Sequence, residues 1–306
     1  MKKDLILENA STRDSERVIT NRTKPSEADI LFFKSSSDIG TIRNFGRRGG
    51  GFAPEAILNI VKKLALHNEQ TWSDIEVANP RLEEEDFSYA QSEYATTLAT
   101  AFGSYPKARK FIYLGGGHDH VYPLLKALNT KYKKIKVINI DAHLDTRIDE
   151  FHNSGTPFRQ FANEFEGKFE LIQLGIHDFA NSKTTMNELG RAKEVVATYD
   201  DLKHLTQNFV NNRKLFERMM PYDHEALYLF SLDADALDAG IMEGVSAVNH
   251  RGLPYHFVEE LLTYAQDVLR VKHYGFYEYN PVYDNLSQKG ARTLASLIYK
   301  IMDHEN

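Results

Sequence analysis

Short apolar runs alternate with longer amphipathic stretches along almost the whole of this 306-residue chain. Seven apolar runs have the length and composition of buried strands, namely residues 30–33, 111–114, 137–140, 171–174, 195–198, 227–232 and 274–277. Apolar side chains recur at helical spacing between them, most clearly in residues 54–67, 89–102, 122–129, 201–219, 255–270 and 287–302. Strands that alternate with helices predict an α/β fold, in which a mostly parallel, doubly wound sheet is covered by helices on both faces.

The sequence shows no repeat of fixed period and no low-complexity segment. Its most polar part, residues 68–88, includes the acidic run 83–86 and is predicted to be an excursion from the fold. We therefore predict one domain over residues 1–306.

Composition excludes several classes of protein. A formal net charge of −6 without a basic face argues against nucleic-acid binding, because neutralising phosphates requires grouped Lys and Arg. The longest apolar runs, such as 226–230, are too short to cross a membrane, and no signal-peptide core follows Lys2 and Lys3, so a cytoplasmic location is expected. The chain has no cysteine, so any catalytic metal must be bound by oxygen and imidazole ligands.

Three acidic or histidine-rich motifs directly follow three of the predicted strands. GGGHDH occupies residues 115–120, DAHLD occupies 141–145 and DADALD occupies 233–238. Ligands of open α/β sheets bind beyond the carboxyl ends of the strands, so these motifs are expected to converge on one crevice.

The spacing within the motifs selects a set of candidate ligands. An extended chain sends alternate side chains to the same side, which places Asp141, His143 and Asp145 together, and likewise Asp233 and Asp235. With His118 from the glycine turn, the set has four carboxylates and two imidazoles. Burying four carboxylates together is prohibitively costly without cations between them.

These ligands indicate two manganese ions. Carboxylate oxygens with a minority of imidazole suit manganese better than structural zinc, and the charge of the set implies a pair of ions. Paired ions commonly share a bridging water that supplies hydroxide at neutral pH, so metal-assisted hydrolysis is predicted. Asp119, His120 and Asp238 are expected to lie outside the ligand set.

Each motif taken alone has an ordinary structural interpretation. A single Asp-x-Asp pair is often a solvated turn or a helix cap, and a lone histidine such as His118 is often a core residue. The glycine runs at 49–51 and 115–117 fit neither the phosphate-loop nor the dinucleotide-binding pattern. The metal interpretation rests on all three motifs following strands.

Together, the motifs resemble the ureohydrolase superfamily, which comprises arginases, agmatinases and formimidoylglutamases. The resemblance covers residues 38–303 and rests on NFGRRGGGFAPEAI at 44–57, GGGHD at 115–119, DAHLD at 141–145, SLDADALDA at 231–239 and EYNP at 278–281. It implies a three-layer α/β/α fold and an assembly larger than a monomer.

The resemblance also implies the roles of individual residues. It implies two Mn²⁺ ions per subunit, bound by His118, Asp141, His143, Asp145, Asp233 and Asp235. Asp145 would assist proton transfer to the departing amine, and Glu278 would accept hydrogen bonds from the cationic amidinium of the substrate.

The segment SGTPFRQ at 154–160 resembles formimidoylglutamases, which hydrolyse N-formimidoyl-L-glutamate to glutamate and formamide in histidine breakdown. Arginases and agmatinases usually have a histidine where Ser154 precedes Gly155, and a shifted shuttle role for His152 is a less favoured alternative. Predicted substrate-binding residues, besides Glu278, are Arg147, Asn153 and Ser154. Arg147 is preferred over Arg159 as the clamp for a substrate carboxylate, with a surface salt bridge as its alternative role.

Three other functions stay open at this point. One is an agmatinase- or arginase-type hydrolase that releases urea, and another is a non-catalytic, metal-binding regulatory member of the superfamily. A calcineurin-like phosphoesterase also uses Asp-x-His around two metals, but its GDxxD motif is missing from the sequence.

Overall fold

The computed structural model describes residues 15–185, 189–204 and 212–304. Within these ranges eight strands form one parallel sheet. The strands are β1 (Ile30–Ser35), β2 (Trp72–Glu76), β3 (Lys110–Gly115), β4 (Lys134–Ile140), β5 (Lys168–Ile176), β6 (Lys193–Thr198), β7 (Leu227–Asp233) and β8 (His273–Tyr277). Their order across the sheet is β2-β1-β3-β8-β7-β4-β5-β6.

Ten α-helices connect or flank these strands in the described ranges. They are α1 (Ile39–Arg43), α2 (Ala53–Val61), α3 (Pro80–Glu85), α4 (Phe87–Ser104), α5 (Val121–Asn129), α6 (Pro157–Glu164), α7 (Tyr199–Leu202), α8 (Asn212–Met219), α9 (Tyr255–Asp267) and α10 (Lys289–Asp303). In the part of the chain described, no helix is both long enough and apolar enough to span a lipid bilayer.

The sheet is buried on both faces, which explains why its strands read as nearly continuous apolar runs. Successive side chains of β1 enter different cores, so that Phe32 packs with the apolar residues of α2, α9 and α10. Phe33 packs on the opposite face, with those of α4, α5 and α6. The prediction of a three-layer α/β/α fold is confirmed.

Strand register determines which motifs meet. Ile140 at the end of β4 pairs with Leu232 of β7, so the residues that follow, Asp141 and Asp233, leave the sheet side by side. Asp233 in turn lies opposite Tyr277 of β8, directly before Glu278. The three acidic side chains are therefore brought together by parallel pairing of central strands.

Residues 68–88 belong to the fold, and the prediction of an excursion there is wrong. They contain the edge strand β2, whose first residue, Trp72, is buried and donates its indole Nε1–H to the Val18 carbonyl at 2.6 Å. Among the described strands only β1 pairs with β2, and β2 ends in a polar residue, so it lacks the apolar pattern of the central strands.

Two predicted helices differ in length, and α1, α3 and α6 were not predicted. The helix expected over 54–67 ends at Val61, and that expected over 201–219 is represented by α7 and α8, with 205–211 outside the described residues. The assignment of residues 1–306 to one domain stays a prediction.

Candidate metal centre and adjoining cavity

Four of the predicted ligands form a buried group at the carboxyl ends of three central strands. The Nδ1 atom of His118 lies 3.2 Å from an Asp141 oxygen, 2.9 Å from Asp145 and 3.2 Å from Asp233. The candidate ligand atoms of this group all lie within 4.8 Å of one another. Such a set can surround one cation.

A second group shares a residue with the first. It consists of Asp141, His143 and Asp235, with His143 Nδ1 at 3.0 Å from an Asp235 oxygen and 3.6 Å from Oδ1 of Asp141. Asp141 faces the first group with Oδ2 and the second with Oδ1. One carboxylate that faces two adjacent ligand sets is suited to bridge two cations.

The spacing of the motifs predicts that the ligand residues share one side of an extended chain, and the structure shows that this prediction is wrong. Residues 141–145 are not an extended strand, because β4 ends at Ile140 and Asp145 has a left-handed backbone with φ of 51°. Asp235 lies in a 3₁₀ turn, and its N–H donates to Oδ1 of Asp233 at 2.8 Å. Strand pairing brings the motifs together, and within each motif tight turns, not strand alternation, orient the carboxylates.

His118 has the surroundings expected of a metal ligand. Its Nε2 pairs with the Ser231 hydroxyl at 2.9 Å, whereas its fully buried Nδ1 makes no acceptable hydrogen bond among the described residues. Three carboxylate oxygens nevertheless lie within 3.2 Å of Nδ1. An orphaned ring nitrogen among anionic oxygens fits a shared cation better than a proton, so the residues fit the manganese pair that the sequence predicts.

The buried carboxylates of the two ligand groups repel one another when they are ionised. Burial, reinforced by nearby Asp141, raises the pKa of Asp145 to about 6. Burial, together with Asp235 and Asp141, raises the pKa of Asp233 well above its usual range. Cations between these groups would relieve the repulsion and restore the ionised forms.

Glu278 stands immediately beside the first ligand group. Its Oε1 accepts hydrogen bonds from the His118 backbone N–H and from the Thr41 hydroxyl, each at 3.0 Å. Its backbone is left-handed, with φ of 59°. Burial, with Asp235 and Asp145 close by, raises the pKa of Glu278 to about 8. A carboxylate in this position is stabilised in its charged form by a cationic ligand.

A cavity of about 460 Å³ opens over the metal-ligand groups. The described residues on its wall are Thr41, Asn44, Phe45, Gly46, His143, Asp145, Arg147, Ser154, Gly155, Ala180, Asn181, Ser182, Thr185, Asp233, Asp235, Ser246, Ala247 and Glu278. The cavity is large enough for a small, polar molecule that reaches the carboxylates.

The predicted substrate-binding residues occupy different positions relative to this cavity. Arg147 and Ser154 are on the wall, whereas Asn153, His152 and Arg159 are not among the wall residues. Asn153 lies behind Arg147 and accepts a hydrogen bond from its Nη2 at 3.0 Å. Their roles toward a substrate stay predictions.

Arg147 is held in place by its neighbours. Its Nη2 forms an ion pair with Asp149 at 2.9 Å and donates to the side chain of Asn44. A Cβ atom at Gly155 would lie 2.8 Å from Arg147 Nε, so the guanidinium packs where only glycine leaves room. Part of its hydrogen-bonding capacity is therefore already used, but its side chain remains 40% exposed on the cavity wall.

Sequence reasoning missed Thr41, Asn44 and Asn181. Thr41 supports Glu278, and Asn44 connects Arg147 with Ser154, whose hydroxyl accepts from Asn44 Nδ2 at 3.0 Å. Asn181 fixes the DAHLD turn, because its Oδ1 accepts from the Leu144 N–H at 2.9 Å. The available signal was weak, since only Asn44 belonged to a recognised motif.

The three residues expected outside the ligand set are absent from both ligand groups of the described chain. Asp119 and His120 are buried next to His118, with 4.0 Å between Asp119 Oδ2 and His120 Nε2. Asp238 uses its Oδ1 to accept from the Gly240 N–H at 2.7 Å. Asp238 thereby supports the turn that follows its motif.

Comparison with known proteins places this chain in a family of hydrolases. The sequence model of the Arginase family matches residues 29–303, and the chain belongs to this family.

Two of the most similar relatives are formimidoylglutamases. The one from Cupriavidus pinatubonensis is 30% identical over 302 residues, covering 93% of this chain and 91% of the relative. The one from Staphylococcus aureus (strain bovine RF122) is 30% identical over 284 residues, covering 92% and 87%.

Solved structures agree on the fold. The crystal structure of formimidoylglutamase from Bacillus subtilis superposes with a TM-score of 0.78 at 20% identity, covering 92% of this chain and 88% of that one. Trypanosoma cruzi formiminoglutamase with Mn²⁺ gives a TM-score of 0.76 at 22% identity, covering 94% and 97%.

Proposed function

We propose that this protein is a manganese-dependent formimidoylglutamase, which hydrolyses N-formimidoyl-L-glutamate to L-glutamate and formamide. The observation that carries the proposal is the pair of ligand groups that share Asp141 and lie beside Glu278 on the floor of one cavity. The names of the relatives support the choice of substrate.

The two ligand groups would hold one manganese ion each. His118, Asp145 and Asp233 complete the first set, His143 and Asp235 complete the second, and Asp141 contributes to both. When bound, the ions supply Lewis-acid activation of water for attack on the amidine carbon.

Glu278 recognises the amidinium end of the substrate. Its Oε1 is engaged by Thr41 and by the His118 backbone, and the residue lines the cavity. A planar amidinium carries several N–H donors, so it forms charge-assisted hydrogen bonds with an ionised carboxylate. Those bonds also help to keep Glu278 charged despite its raised pKa.

Asp145 handles the proton that the departing nitrogen needs. It lies on the cavity wall and also belongs to the first ligand group, so one carboxylate can contact both the metal site and the reacting atoms. Its backbone is left-handed, with φ of 51°, a conformation that is concentrated at functional sites.

Arg147 and Ser154 recognise the carboxylate end. Arg147 is the only arginine or lysine among the described wall residues, and a glutamate-derived ligand brings two carboxylates that require a partner. Asn153 takes a supporting role through its hydrogen bond to Arg147, which refines its predicted role in substrate binding.

A substrate panel tests the proposal. The manganese-loaded protein is assayed for formamide release from N-formimidoyl-L-glutamate and for urea release from arginine and agmatine. We expect kcat/KM to be highest for N-formimidoyl-L-glutamate, with activity lost on chelation and restored by manganese. Higher kcat/KM for a guanidine substrate would make the protein an arginase- or agmatinase-type enzyme, and inactivity toward all three would favour a non-catalytic member.

We also infer a homo-oligomeric enzyme, as the family resemblance implies. Light scattering coupled to size-exclusion chromatography measures its mass in solution, and a mass of about 35 kDa, that of one chain, would contradict the inference.

A further inference from the structure

Helix α1 and the turn after it connect the two ends of the cavity. Thr41 donates its hydroxyl to Glu278, and Asn44 binds both Arg147 and Ser154. Thr41 belongs to α1 and Asn44 is the residue that caps its carboxyl end, and both line the cavity. This wall therefore runs from the proposed amidinium site to the proposed carboxylate site.

Phe45, the next residue, has two unusual properties. Its side chain is 99% exposed although it lines the cavity, and its backbone is left-handed with φ of 60°. The turn is fixed by two hydrogen bonds, from the Phe45 N–H to the Ile42 carbonyl at 2.9 Å and from the Gly46 N–H to the Thr41 carbonyl at 2.8 Å. The backbone of this turn is therefore fixed, whereas the ring itself is exposed and not packed against the protein.

Strained residues concentrate around this cavity. Five non-glycine residues of the described chain have positive φ, and three of them, Phe45, Asp145 and Glu278, lie on the wall. Left-handed backbone in a bulky residue is unfavourable, and such strain persists mainly where function benefits from it.

The polar residues of the cavity wall can bind the charged ends of the proposed substrate but not its aliphatic middle segment. N-formimidoyl-L-glutamate has charged groups at both ends and aliphatic carbons between them. Among the described wall residues, Phe45 has the only large apolar side chain, the other apolar ones being Ala180 and Ala247. Aliphatic carbons gain most from contact with an apolar surface that is itself exposed to water.

We propose that Phe45 is a substrate-contacting residue, whose ring covers the aliphatic segment of the ligand between Glu278 and Arg147. This inference rests on the proposed function for the identity of the substrate. Asn44 positions the neighbouring Arg147 and Ser154, so the same turn contacts the middle of the ligand and organises its carboxylate site.

The test compares Phe45→Ala with Phe52→Ala. Phe52 belongs to the same glycine-rich segment and is 68% exposed, but it is absent from the cavity wall, which makes it a matched control. Kinetics are measured on the manganese-loaded full chain with whichever of N-formimidoyl-L-glutamate, arginine and agmatine the wild type turns over fastest.

We expect Phe45→Ala to raise KM by about tenfold, because a few buried methylene equivalents are lost from the bound state. The value of kcat should change by less than about twofold, Phe45→Leu should recover part of the loss, and Phe52→Ala should resemble the wild type. A change in kcat that exceeds the change in KM, or equal behaviour of the two alanine variants, would overturn the inference.

The outcome is separable from that of the proposed function. All three substrates carry an aliphatic segment, so Phe45 can be tested even if urea release proves faster than formamide release. If none is turned over, calorimetry with N-formimidoyl-L-glutamate and agmatine gives Kd in place of KM, and the same comparison applies. Lack of binding to both would overturn both proposals.

Discussion

The two ends of β3 each lie near a buried histidine, and the pKa values of the two histidines are shifted in opposite directions. His118 follows the carboxyl end, where burial acts to lower its pKa but Asp141, Asp145 and Asp233 hold it well above the ordinary value. His273, beside the amino end, is equally enclosed, and burial lowers its pKa to about 3.

The neighbours explain the difference. His273 stacks on Phe111, with ring centroids 4.8 Å apart, and its Nδ1 pairs with the Tyr113 hydroxyl at 2.9 Å. His118 instead leaves its Nδ1 orphaned among carboxylates. Burial alone therefore does not mark a functional histidine. An unsatisfied nitrogen facing several anions does, whereas a nitrogen paired inside an aromatic stack indicates a core residue.

The largest effect is expected at the residue that the two ligand groups share. Asp141→Asn removes a charged ligand from both groups, whereas Asp235→Asn affects only the second. We expect turnover to fall at least about a hundredfold in each, since even residues that only orient metal ligands typically contribute ten- to a hundredfold. Metal analysis should find less manganese per chain in Asp141→Asn than in Asp235→Asn.

Asp238→Asn provides the control for these variants. Asp238 is part of the same motif but accepts a hydrogen bond from the Gly240 N–H outside both groups. Its manganese content and activity should stay near those of the wild type. Equal metal loss in Asp238→Asn and Asp141→Asn would contradict the assignment of ligands.

Glu278→Gln is expected to have the next largest effect. A glutamine oxygen can still accept from the His118 N–H and the Thr41 hydroxyl, so the local fold and the metals should be preserved. The amide cannot offer a charged acceptor to an amidinium, and such a hydrogen bond contributes about 1.5 to 3 kcal/mol. We expect kcat/KM to fall at least about tenfold at unchanged manganese content. Wild-type kinetics would assign Glu278 a structural role.

Arg147→Met is expected to have a smaller, substrate-selective effect. Carboxylate binding is similar in the ground and transition states, so the main effect should be on KM. We expect KM for N-formimidoyl-L-glutamate to rise by about tenfold and kcat to fall by less than that. Agmatine has no carboxylate, so any activity toward it should change less. An equal rise in both KM values would indicate a general loosening of the wall, because Arg147 also holds Asn44 and Asn153.

The convergence of the candidate ligands was predictable because it depends on topology. Parallel strands end at one edge of the sheet, so motifs that directly follow β3, β4 and β7 had to meet, whatever the detailed turns. The turns themselves were not predictable from alternation. The left-handed backbone of Asp145 and the sharing of Asp141 depend on local hydrogen bonds that residue spacing does not encode.

Residues that support the site were harder to predict than its ligands. Thr41 lies 237 positions from Glu278, and neither its residue type nor its position repeats a pattern that indicates this contact. Strand β2 was missed for a related reason, since an edge strand with a polar end does not need the apolar sequence of a central strand. Both the Thr41–Glu278 hydrogen bond and the pairing of β2 with β1 depend on tertiary contacts between residues far apart in the sequence.

The smallest effect on activity is expected at the amino end of β3, where the variant His273→Phe should leave kinetics and manganese content unchanged. Its effect is on acid stability. The His273 pKa is lowered to about 3 in the folded state, so between that value and the unfolded value of about 6.5 the unfolded chain binds a proton that the folded chain does not. Stability is therefore lost as pH falls through this window.

Removing the imidazole should remove that part of the pH dependence. Urea unfolding of the wild type and His273→Phe at pH 7 and pH 5 measures it, and the variant should lose less stability between the two pH values.

Tyr113→Phe is the matched control, because it breaks the hydrogen bond at Nδ1 but keeps the buried imidazole, and it should retain the wild-type dependence on pH. The absolute stability of either variant can fall, since each leaves one buried polar group unpaired, but that cost is independent of pH in this range. If the wild type and His273→Phe lose the same stability between pH 7 and pH 5, protonation of His273 does not contribute to the pH dependence of unfolding. The contrast between the two ends of β3 would then depend only on the carboxylates around His118.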